Sequence, residues 1–288
     1  MKRRTLMQGL AKTAVACALP LAALAQAYDT SRIVTIGGAT TEIVFALGEA
    51  DRLVARDSTS LHPPAAQDLP DIGYMRALAA EGVLSVQPTL ILTEPGAGPP
   101  ETISVLEAAA LPLVVVPAPY SAEGILTKIT AIGDALGVPD KAQTLADQVR
   151  AELDDVAAQV ANDTDAPKRV LFVLSTQGGR IMASGTNTAA DGIITLAGGI
   201  NAIDQFEGYR QLTAEAISTA APDVVLMMDR EGDHSSTAET LFTMPEMSTT
   251  PAAQTGALVK MDGLLLLGFG PRTPKAAQAL HDVLQEQS

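Results

Sequence analysis

The chain has 288 residues, a formal net charge of −14, 3% aromatic residues, no tryptophan and one cysteine, Cys17. So acidic a balance excludes binding to nucleic acid through a general electrostatic field. A lone cysteine excludes internal disulfides, iron–sulfur clusters and thiolate zinc sites. The length suffices for one large domain or two medium ones, each with its own core.

Residues 1–27 read as a removable segment. Lys2, Arg3 and Arg4 form a basic start, residues 13–25 are a short apolar run, and Ala25-Gln26-Ala27 is a small-x-small site. That layout is a secretory signal cleaved after Ala27, and it implies a periplasmic protein. The apolar run is shorter than the ~20 residues that span a bilayer, and Pro20 interrupts it. Arg3-Arg4 fits a twin-arginine signal as well as an ordinary basic start. Cleavage removes Lys2, Arg3, Arg4 and Lys12 and no acidic residue, so the mature chain is more acidic still.

Residues 28–120 read as a first lobe. Arg32–Gly37 is a β-branched strand ending in glycine. Ala39–Leu47 follows with helical spacing at Ile43, Val44 and Leu47, and Gly48 stops it. Short apolar runs recur at 53–55, 90–93 and 113–116, with helical stretches near 77–86 and 100–110 between them. Such alternation predicts parallel strands joined by helical crossovers.

Residues 121–166 carry no strand signal. Ile125, Ile129, Ile132 and Leu136 have helical spacing, Gly137-Val138-Pro139 punctuates, and Ala142–Val160 gives a longer helix with Leu145, Val149, Leu153 and Val156 on one face. Residues 167–288 then read as a second lobe. It has strands at 169–175 and 224–228, a helix over 188–196 ending at Gly198-Gly199, and a terminal helix over 274–285. The expected fold class is α/β. Two Rossmann-like lobes with central, mostly parallel sheets are joined by a single long linker helix, and a ligand would sit in the cleft between them.

Four segments resemble the haem-specific periplasmic binding proteins: Arg32–Asp57, Leu69–Pro88, Gly185–Ala202 and Leu264–Arg272. These proteins belong to a helix-linked class that also carries cobalamin and iron–siderophore complexes. The strand-glycine-Thr-Glu opening is common to the class. Gly73-Tyr74-Met75-Arg76 and Leu267-Gly268-Phe269-Gly270-Pro271-Arg272 narrow the likeness to haem. The resemblance implies a monomeric receptor that captures haem b as a transported ligand, with no separate metal. It implies delivery to an inner-membrane ABC permease and its ATPase, and no dealings with nucleic acid. Cobalamin or a ferric siderophore is the alternative cargo. A haem-modifying enzyme is a further alternative, but no Gly-x-Ser-x-Gly elbow or metal-binding helix motif is present, and three histidines are few for acid–base chemistry.

The resemblance makes Tyr74 the axial ligand of ferric haem iron. A phenolate is a hard anionic donor and tyrosine is a known haem ligand, although its ordinary pKa of ~10 means that the iron or a nearby cation must stabilise the anion. From chemistry alone Tyr74 is equally a packed loop tyrosine. If residues 73–76 are extended, Arg76 shares a face with Tyr74 and supplies the cation. Tyr209, in a polar loop, is a candidate to stack on the porphyrin or to make a second axial contact. Tyr120 reads as packing where the first lobe meets the linker. The haem propionates call for cations, and Arg56, Arg180, Arg210 and Arg230 follow strands. Ordinary surface arginines would look the same. The turn Gly37–Thr41 is a possible source of N–H donors to an anion, but its commoner role is to cap a helix. His234 lies in a polar loop, whereas His62 and His281 do not look like ligands. Glu81 and Glu215 each sit near the start of a predicted helix, one per lobe. In the class, glutamates at such places dock on permease arginines. Stabilisation of a helix N-terminus explains them equally well.

Overall fold

The computed structural model describes residues 28–229 and 237–286. The expected signal segment, Arg230 and His234 therefore lie outside the described residues. Among the described residues no helix is long and apolar enough to cross a membrane.

The first sheet is built from β1 (Ile33–Ile36), α1 (Gly38–Ala46), β2 (Leu53–Arg56), α2 (Ala80–Ser85), β3 (Leu90–Thr93), α3 (Pro100–Ala108) and β4 (Leu113–Val115). Its strand order is β2-β1-β3-β4 and every pairing is parallel. Helices cover both faces, which is why β1 and β3 are buried throughout with no alternation, Thr35 and Thr93 included.

The chain then forms α4 (Ala122–Leu136) and α5 (Pro139–Ala161). Each boundary has a local cause. The Ser121 side chain caps α4 by accepting from the Gly124 amide, left-handed Gly137 ends it, and Pro139 opens α5 where its missing N–H does no harm. With 23 residues α5 is roughly 35 Å long. At its start Lys141 pairs with Glu49 of the first lobe at 2.6 Å, and at its end Gln159 accepts a bond from Gln278 of the terminal helix. The linker is thus a pair of packed helices of which α5 makes the crossing.

The second sheet follows: β5 (Arg169–Ser175), β6 (Met182–Ser184), α6 (Ala189–Leu196), β7 (Ile200–Asn201), β8 (Tyr209–Gln211), α7 (Ala214–Ala220), β9 (Val224–Asp229), α8 (Ala238–Phe242), α9 (Pro251–Thr255), β10 (Leu258–Asp262), α10 (Gly263–Leu267) and α11 (Thr273–Glu286). The order is β10-β9-β5-β6-β8, with β7 pairing β5 as well. The β10-β9-β5 half is parallel, and β6 and β8 are antiparallel additions. Two α/β lobes with parallel-rich sheets is the architecture that the sequence patterning predicts.

Each lobe has a buried cluster of its own, and a third, larger one spans both. The spanning cluster contains Ile33 and Leu90 of the first sheet, Ile129 and Val149 of the linker helices, Phe172 and Val224 of the second sheet, and Leu280 of α11. The segment Gly263–Arg272 crosses back to touch α1. The Glu42 carboxylate accepts from the Arg272 amide at 3.2 Å and from its guanidinium at 2.9 Å. A Cβ on Gly38 would lie 2.4 Å from Leu264 Cδ1 and 2.9 Å from the Thr59 carbonyl oxygen, so only glycine permits so close an approach there.

Candidate functional site

Residues of both lobes line a cleft of about 240 Å³ that opens to solvent. That volume lies just below the ~300–1,000 Å³ typical of small-molecule sites. The first lobe contributes Gly38, Ala39, Thr59, Met75, Arg76 and Glu94 to its walls. The floor carries Ala118, Tyr120 and Lys128. The second lobe contributes Ala189, Tyr209, Leu264, Leu267 and neighbouring glycines.

The first-lobe wall is organised around a buried carboxylate. Asp57 accepts from the Gly37 amide (3.0 Å), the Ser60 hydroxyl (2.7 Å), and the amide and hydroxyl of Thr59 (3.0 and 2.6 Å). Thr41 and Thr35 extend the same hydroxyl chain. The amide of Gly37, considered above as a donor to an incoming anion, is therefore already engaged within the protein.

Beside this hub lies the loop that carries Tyr74. The Gly73 carbonyl accepts from the Ser58 amide, the Gly73 amide donates to Asp71, and the Ala77 amide closes a turn on the Tyr74 carbonyl at 2.8 Å. Gly73 has φ +102°, a conformation that a side chain would strain. The backbone is thus held from both sides while Tyr74 is 48% exposed. Residues 74–77 form a turn, so the extended run expected over 73–76 is not the one adopted. Hydrogen bonds within the loop win over strand pairing. Arg76 and Met75 line the cleft, whereas Tyr74, next to them in the chain, is exposed and is not among the residues that line it.

Tyr209 faces the cleft from the opposite wall, with its ring edge-on to Phe172 at 6.4 Å. Burial holds its phenol above the usual range, and the neighbouring Tyr120 adds to this; Thr188, Arg76 and Ser184 oppose it. Tyr209 at neutral pH is therefore a neutral phenol, suited to stacking and hydrogen bonding. Tyr120 packs edge-on against Phe269 at 5.5 Å, where the first lobe meets α4, and it also lines the cleft floor.

The expected propionate cations are placed differently. Arg56 is buried, its guanidinium engaged by Asp71 (2.8 Å) and by the carbonyls of Asp57 and Ala66. Arg210 stacks on the Phe206 ring at 5.0 Å, and it alternates with Tyr209 along β8 so that the two point to opposite faces. Arg180 is exposed after a short 3₁₀ turn. None of these three lines the cleft. Lys128, which does, was missed by sequence reasoning although a signal existed. It falls three residues after Ile125 and four before Ile132, on the buried face of α4.

His281 is buried on α11, with Nδ1 3.2 Å from the Ala197 carbonyl oxygen. It packs far along the chain from any cleft residue of α6. Glu81 and Glu215 are both exposed in the first turns of α2 and α7.

This anatomy, a cleft between two α/β lobes on a shared helical spine, defines a two-lobed binding protein. The family described as periplasmic binding protein matches residues 33–264. The chain belongs to that family, and within it the likeness lies with the helix-linked haem-binding members. The periplasmic heme-binding protein BhuT, solved in complex with two hemes, is 39% identical; the match covers 89% of this chain and 98% of that one, with a TM-score of 0.85. The periplasmic heme-binding protein RhuT from Roseiflexus sp. RS-1, in apo form, is 37% identical over 90% of this chain and 99% of that one, with a TM-score of 0.84. The vitamin B12-binding protein of Yersinia pestis is 25% identical over 202 residues, 70% of each chain.

Proposed function

We propose that this chain is the periplasmic receptor of a haem importer. It takes ferric haem b into the cleft, binds the iron through the Tyr74 phenolate, and passes the haem to an inner-membrane ABC permease powered by its ATPase. The observation that carries this reading is likeness along nearly the whole length of two periplasmic heme-binding proteins, at identities well above that of the vitamin B12-binding relative. A cleft between the lobes and an exposed tyrosine on a backbone-anchored loop, whose neighbours Met75 and Arg76 line that cleft, support it.

The test is an absorbance titration of the purified mature protein with ferric haem, and in parallel with cyanocobalamin. Saturable binding of haem with a phenolate-to-iron charge-transfer band is expected. Saturation by the corrinoid alone would overturn the assignment of cargo.

Glu81 and Glu215 are read as docking residues, one on each lobe. Exchanging both for lysine is expected to leave the haem titration unchanged and to abolish stimulation of the reconstituted transporter's ATPase. Full stimulation by the double variant would remove docking from their role and leave stabilisation of the helix start.

A further inference from the structure

Among the described residues three fully charged side chains line the cleft: Arg76, Glu94 and Lys128. All come from the first lobe or from α4. The second-lobe wall offers apolar Ala189, Leu264 and Leu267 and the neutral phenol of Tyr209. The charge of the cleft is therefore decided by these three groups.

The Lys128 side chain is 1% exposed. Its ammonium donates to Glu94 Oε1 and to the Gly268 carbonyl, both at 3.3 Å. Charge-assisted bonds are usually ~2.7–2.9 Å, and an ammonium has three protons to give. Lys128 is thus held by two long contacts and retains donor capacity. Glu94 is more open, with 18% of its side chain exposed. Without the lysine, Glu94 would present a bare negative charge to an entering carboxylate. With it, Arg76 leaves the cleft wall one unit positive inside a strongly acidic protein. The largely buried Lys128–Glu94 pair is screened by salt much less than the exposed Arg76.

We propose that Lys128 determines specificity: it neutralises Glu94 and, together with Arg76, selects ligands that carry carboxylate groups. The inference rests on the haem reading, since haem brings two carboxylates to such a site.

The test compares ferric haem with its dimethyl ester, which keeps ring and iron and masks both carboxylates. Both are titrated against wild type, Lys128→Met and Glu94→Gln. Wild type is expected to prefer the diacid. Lys128→Met is expected to reduce that preference about fivefold and Glu94→Gln to raise it about fivefold. A purely structural role would weaken both ligands together and leave the preference constant in both variants, which would overturn the proposal. If Lys128→Met does not fold, the direction of the Glu94→Gln change decides alone. A wild type that binds neither compound refutes the haem reading and this inference with it. A wild type that binds both equally refutes charge selection only.

Discussion

Replacing Tyr74 with phenylalanine is expected to abolish the phenolate-to-iron band and to weaken ferric haem binding at least about 100-fold. Loss of a group that merely orients a metal ligand weakens metal binding by ~10–100-fold, so loss of the ligand itself belongs at or beyond the upper end. The substitution is selective. It removes one oxygen and keeps the ring, and therefore keeps any stacking on the porphyrin. The residue is half exposed, and the loop is held by the Ser58 and Ala77 amides, which donate to its carbonyls, and by the Asp71 carboxylate, which accepts from the Gly73 amide; none of these bonds involves the phenol. Stability should stay within about 0.5 kcal/mol of wild type, as for other surface positions. Absorbance and thermal melting together separate the two effects. A phenylalanine variant with an unaltered ferric spectrum would remove Tyr74 from the iron.

The second large effect concerns stability. Replacing Arg272 with methionine is expected to cost about 3 kcal/mol. Glu42 is 6% exposed, and the guanidinium at 2.9 Å is the cation that faces it. Removing one partner of a buried pair leaves the other charge uncompensated, at ~3–5 kcal/mol. The lower end applies because Arg272 keeps a quarter of its exposure and its backbone amide still donates to the carboxylate. Replacing Glu42 with glutamine in the same chain should recover much of the loss, since the buried charge is then gone. Urea unfolding of the two single variants and the double variant measures the coupling. A single variant within about 0.5 kcal/mol of wild type, the scale typical of featureless surface sites, would show that the pair contributes nothing.

Much of the fold was legible in the sequence because its parallel strands are largely apolar runs and its helices are long. The run over 90–93, the capped helix after Thr188 and the two helices over 122–161 are all marked by periodicity and punctuation. The antiparallel β6 and β8 were not legible. Three-residue strands are too short to show a period of two, and their pairing depends on tertiary context. The five-residue helices α8, α9 and α10 escape for the same reason. At the site, the motif around Tyr74 pointed to a loop of which Met75 and Arg76 line the cleft, but its conformation was not legible. A turn closed by the Ala77 amide replaced the extended run. The propionate cations were sought among arginines following strands, a rule blind to where a guanidinium finds its partners. Arg56 finds Asp71 and Arg210 finds Phe206, whereas Lys128 reaches the cleft floor from inside a helix.

The return of Gly263–Arg272 to α1 has a consequence for anyone who would rebuild this molecule from parts. A fragment ending at residue 262 would leave Glu42 bare and uncover the Gly38–Ala39 wall of the cleft. In a chimaera that trades halves with a relative, residues 263–272 must travel with the half whose helix they cover, although chain order assigns them to the other.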